Sequence, residues 1–99
     1  MELPDDVVRY IERSFSAIDR VEALAALRGA VIHDTSQSRD RLLRCATLSA
    51  RRDLGRLRKQ LAHLNVDWRD VIVEGEYVVR DRKLVRVLDL NRPIPDEAL

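Results

Sequence analysis

The sequence predicts a mainly α fold: a compact bundle of about five short helices, with a small C-terminal β-hairpin. Three observations predict it. Apolar residues recur at three- and four-residue spacing through most of the chain. Ser or Asp stands before several of these runs, where a helix cap belongs. From Tyr77 onward the pattern changes to Val- and Leu-rich runs separated by a polar break. Ninety-nine residues amount to one domain. It is predicted as a single helical domain over 1–92 with an irregular tail over 93–99. A 45% apolar, 35% charged composition is that of a globular chain and excludes an intrinsically disordered one.

The first helix is expected over 5–15. Pro4 suits a helix start, Asp5 and Asp6 favour the positive end of its dipole, and Val7, Val8, Ile11 and Phe15 follow at helical spacing. Ser16 with Asp19 then resembles a capping box, opening a second helix with a wide apolar stripe of Ile18, Val21, Leu24, Ala25 and Leu27. Gly29 can end that helix, or it can run on through Val31 and Ile32. Asp34, Thr35, Ser36 and Ser38 form the next loop and cap.

The strongest periodicity follows. Leu43, Ala50, Leu57 and Leu64 repeat every seven residues, joined by Leu54 and Leu61. This is a seam for a helix, either within the chain or on a second copy. The segment 38–64 can be one long helix or two; Asp53 reads as a cap and favours a break near Arg52–Asp53, which gives an antiparallel helix hairpin with helices at 38–51 and 54–64. Asp67 with Asp70, and a staple of Val66 on Val71, predict a further helix at 68–76 carrying Trp68, Val71, Ile72 and Gly75 on one face. Tyr77–Val79 and Leu84–Leu88 are rich in β-formers around Arg80-Asp81-Arg82-Lys83, which predicts the hairpin. Pro93 and Pro95 mark the tail.

The run Ala46 to Leu54, with Leu57, Leu61, Leu64 and Val66-Asp67, is similar to the helix pair of an ankyrin repeat. The resemblance covers about a fifth of the chain and implies two short antiparallel helices. Arg52 stands where the repeat carries glycine, the threonine-proline-leucine-histidine opening is missing, and no second copy follows. It therefore implies nothing about family membership.

Motifs for chemistry are few. Cys45 is the single cysteine and lies among Leu42, Leu43, Ala46 and Leu48, which suggests a packed thiol in a reducing compartment. The acidic N-terminus is not a secretory signal, and no apolar run is long enough for a membrane span. The expected location is cytoplasmic, in a chain whose heavy use of Arg is bacterial in style. His33 and His63 are thirty residues apart and no metal-ligand spacing occurs, so no metal or cofactor is expected. Asp67, Asp70 and Glu74 share a helix face at spacings that can hold a hard cation through water, but the first two are already explained by capping. Gly29, Gly55 and Gly75 are too far apart for a phosphate loop, Cys45 is far in sequence from either histidine, and no nucleophile elbow surrounds a serine. No catalytic activity is expected.

Charge is distributed unevenly. Eight bases against two acids give residues 39–59 a net of +6, which leaves the remainder at −5 for a chain total of +1. Clustered Arg can bind phosphate, which makes Arg44, Arg51, Arg52, Arg56 and Lys59 the residues of a nucleic-acid-binding alternative. The same segment lacks aromatic residues for base stacking, and its charges can be neutralised within the fold. The second candidate surface is Trp68, Arg69, Asp70, Glu74 and Tyr77, rich in the residue types that dominate protein interfaces. The expected function is therefore a small non-catalytic protein–protein interaction domain, self-associating as a homodimer or binding another protein.

Overall fold

Four helices and one antiparallel hairpin make up the computed structural model, which describes residues 2–33 and 36–98. Met1, Asp34, Thr35 and Leu99 lie outside the described residues, and with them the first two residues of the expected 34–38 loop and the end of the expected tail. Helix α1 spans Asp5–Ser14 and buries Asp6, Val7, Tyr10 and Ile11 on one face. Helix α2 spans Ala17–Arg28, capped by Ser16 Oγ, which accepts the Asp19 N–H at 3.2 Å. It stops at Gly29 and does not run on to Ile32. Its buried residues are Ala23 and Leu27, with Leu24 partly covered. Ile18 and Val21, expected on the buried stripe, face solvent because only this narrower face meets the bundle.

Helix α3, Arg39–Ser49, is the hub. Ser38 caps it by accepting the Arg41 N–H. Seven of its residues, Leu42 to Thr47 and Ser49, are buried. It turns through Ala50 to Asp53 into α4, Leu54–Glu76. Arg51 and Arg52 adopt left-handed backbone in that turn, with φ of 51° and 65°. The seven-residue seam is filled within the chain, since Leu43, Ala50, Leu57 and Leu64 are all buried. Its helix partner is intramolecular.

The expected separate helices at 54–64 and 68–76 are one element with a bend. At Asp67 the backbone leaves the helical region (φ −155°, ψ 95°), and Asp67 Oδ1 accepts the Arg69 N–H at 3.1 Å. The cap read from sequence thus operates inside a kinked helix, which makes four helices where about five were expected. Val66 still belongs to the first arm and points into solvent, so the staple onto Val71 does not form.

Gly75 shows why the second arm fits on α3. A Cβ there would lie 2.8 Å from Cys45 Cα, so only glycine permits the two backbones to approach this closely. Strands β1, Tyr77–Arg80, and β2, Lys83–Arg86, form the hairpin, pairing Val78 with Val85 and Val79 with Leu84. The turn residues Asp81 and Arg82 both have positive φ, 50° and 63°, the geometry that asparagine-glycine normally supplies. Beyond the hairpin, Leu90 and Ile94 return to the core, and Asp96–Ala98 form one 3-10 turn. No helix among the described residues is long and apolar enough to cross a membrane.

Candidate functional site

Two buried carboxylates organise the polar interior. Glu76, fully buried at the end of α4, receives Arg41 Nε and Nη2 on its two oxygens, each at 2.9 Å. Arg86 of β2 adds a third cationic contact at 2.9 Å, and the Leu90 N–H donates at 3.1 Å. Asp6 of α1 is held similarly. Arg44 donates to both its oxygens at 2.9 and 3.2 Å, and the Ile94 N–H donates at 2.9 Å. Burial alone would raise both carboxyl pKa values. The arginine and backbone hydrogen bonds outweigh it and hold both below the ordinary range.

These pairs redistribute the expected sites. Arg44, a member of the nucleic-acid set, is buried against Asp6 and cannot reach a phosphate backbone. Arg41 is likewise engaged by Glu76. Arg51, Arg52, Arg56 and Lys59 remain exposed, and none has an ion-pair partner among the described residues. Arg58 pairs with Glu22 across the surface at 3.3 Å.

The residues of the second candidate surface have separate contacts. Trp68 is half-buried against the core, with the Arg69 guanidinium 5.9 Å from its ring centroid. Arg69 is also tied to Asp67. Asp70 turns the other way, to His63 Nε2 at 3.1 Å. Tyr77 begins β1. Glu74 accepts from the Gln60 amide, which also donates to Ser49 Oγ at 2.7 Å. Asp67, Asp70 and Glu74 thus have three different partners, and no cluster of three potential metal ligands occurs among the described residues.

The bend at Asp67 brings the two arms of α4 to face one another. Gln60 to Glu74 and His63 to Asp70 span the bend. Beside them lies a cleft of about 400 Å³ lined by Arg56, Lys59, Gln60 and Glu74. Sequence reading identified three of these four residues but assigned them to separate surfaces; Gln60 had no signal because a lone amide belongs to no motif. No family model, curated protein or solved structure matches the chain.

Cys45 contributes no reactive thiol. Burial and the neighbouring Glu76 carboxylate, 3.8 Å from Sγ, push its pKa up to about 12.

The hairpin is the other unfilled surface. Val79 and Leu84, paired across the strands, are 70% and 60% exposed, and Val78, Val85 and Val87 are also exposed. Both outer edges lack a neighbouring strand among the described residues.

Proposed function

We propose that the chain is a small non-catalytic protein-interaction domain that self-associates through its hairpin, strand β1 pairing with β1 of a second copy. The observation that carries this reading is the exposed Val79–Leu84 pair on a two-stranded ribbon whose edges are open. Two-stranded hairpins are marginal on their own, and addition of a strand satisfies the unpaired backbone groups.

The two edges differ. β2 begins and ends with Lys83 and Arg86, the kind of charge that discourages edge pairing. β1 reads Tyr-Val-Val-Arg and has a single charge at its end. Antiparallel pairing of two β1 strands about Val79 gives a four-stranded sheet with a continuous row of Leu84, Val79, Val79 and Leu84. It also directs the basic tips, Arg80, Arg82 and Lys83, to opposite ends. Such a contact is isologous, the form that most dimers take.

Sedimentation equilibrium tests the reading. The expected mass rises from one chain towards two with concentration, and Val79→Asp holds it at one chain. A single-chain mass at every concentration overturns self-association.

A further inference from the structure

We propose that the cleft in the bend of α4 is a phosphate-binding site, with Arg56 and Lys59 as its cationic ligands. This inference is independent of the hairpin reading, since it rests on other residues and another surface.

The first support is charge left uncompensated. Arg41, Arg44, Arg58, Arg69, Arg86 and Arg92 each have a carboxylate within 4.0 Å. The other twelve bases have none among the described residues, and of these Arg56 and Lys59 are the two that line the cleft, beside Glu74. Glu74 is engaged by the Gln60 amide, whose other contact is Ser49 Oγ. Asp53 caps the helix by accepting the Arg56 N–H at 2.8 Å, and neither it nor Glu74 forms an ion pair with the Arg56 or Lys59 side chain.

The second support is shape. A concavity of about 400 Å³ falls within the size range of small-ligand sites. It is bounded by charged and amide groups and by no large apolar side chain, which suits an anion rather than an apolar ligand. A guanidinium offers a planar fork to phosphate oxygens, and an ammonium adds a compact charge. Glu74 and the Gln60 carbonyl can then accept hydrogen bonds from hydroxyl or amino groups elsewhere on the molecule that carries the phosphate. The exposed Arg51 and Arg52 lie in the turn just before α4 and add positive charge near its start.

The phosphate can come from a nucleic-acid backbone or from a free monoester. Nuclear magnetic resonance titration of the full chain separates these sources, with inorganic phosphate, a nucleoside monophosphate and a short single-stranded oligonucleotide as probes. Titrations at about 50 and about 200 mM salt measure the phosphate-driven part of binding. The expected result is amide shifts centred on Arg56, Lys59, Gln60 and Glu74. The double variant Arg56→Gln, Lys59→Gln weakens binding by about tenfold or more, the scale of losing charged hydrogen bonds. Glu74→Gln tightens it, since it removes the one negative charge in the cleft.

An oligonucleotide that binds more tightly than the monophosphate, with affinity falling steeply with salt, assigns the site to nucleic acid. The reverse ranking assigns it to a phosphate monoester. Absence of shifts with all three probes at the lower salt overturns the proposal. So do shifts that the Arg56→Gln, Lys59→Gln variant leaves unchanged while its thermal unfolding matches the parent.

Discussion

Arg41 grips Glu76 through two parallel hydrogen bonds of 2.9 Å, although the residues are 35 positions apart in sequence. This contact locks the start of α3 to the end of α4, and Arg86 joins the hairpin to the same carboxylate. Replacing Glu76 with Ala leaves Arg41 and Arg86 without their shared anion and the Leu90 N–H without its acceptor. The expected loss is about 3–5 kcal/mol, as for other broken buried pairs. Urea unfolding measures it, and a loss below about 1 kcal/mol would show that solvent replaces the contact.

Acid should unfold the protein through the same groups. Asp6 and Glu76 have folded-state pKa values below their ordinary 3.8 and 4.5. Their contribution is fully present above those ordinary values and is lost as pH falls through the depressed folded ones, because the unfolded chain takes up protons first. Thermal midpoints measured from pH 7 downward should be flat at first and then decline below about pH 4.5. In the double variant Asp6→Asn, Glu76→Gln, the decline should be much shallower. An equal decline in that variant would assign acid sensitivity to other carboxylates.

Gly75→Ala is expected to destabilise even though alanine is the better helix former. Intrinsic propensity favours alanine by roughly 1 kcal/mol. The added Cβ would lie 2.8 Å from Cys45 Cα, however, and backbone cannot rotate aside as a side chain can. Separating α3 from α4 should cost about 1–3 kcal/mol beyond that gain. A calorimetric midpoint above that of the parent would contradict the close approach.

The Cys45 thiol should ignore a thiol reagent at neutral pH while the protein is folded. With its pKa near 12, almost no thiolate exists, and the side chain is fully buried. Labelling with an aromatic disulfide should proceed only through opening of the fold and should accelerate as urea is added. Rapid labelling of the native chain would place the thiol nearer the surface.

Local features were legible in the sequence because their causes are local. Ser16, Ser38 and Asp53 cap the helices they precede. The Leu43 to Leu64 repeat marked the α3–α4 seam, because helix packing writes itself into spacing. The polar break between Val-rich runs marked the hairpin, although its Asp81-Arg82 turn has no glycine to announce it. What spacing cannot encode is which charges meet across the fold. Arg41 and Arg44 lie within a run of bases that reads as one basic surface, yet their partners are Glu76 and Asp6. The α4 cleft escaped for a related reason: a bend at Asp67 brings Lys59 and Gln60 towards Glu74, and sequence reading treated the two arms as separate helices.

The hydrogen bond from the Ile94 N–H to Asp6 spans 88 residues. Synthesis proceeds at about 5–20 residues per second, so Ile94 is made roughly 4–18 s after Asp6. Throughout that interval α1 has its acceptor in place but not the last of its donors. The C-terminal segment is therefore the last to close over Asp6, after α1, α2 and α3 have all been made.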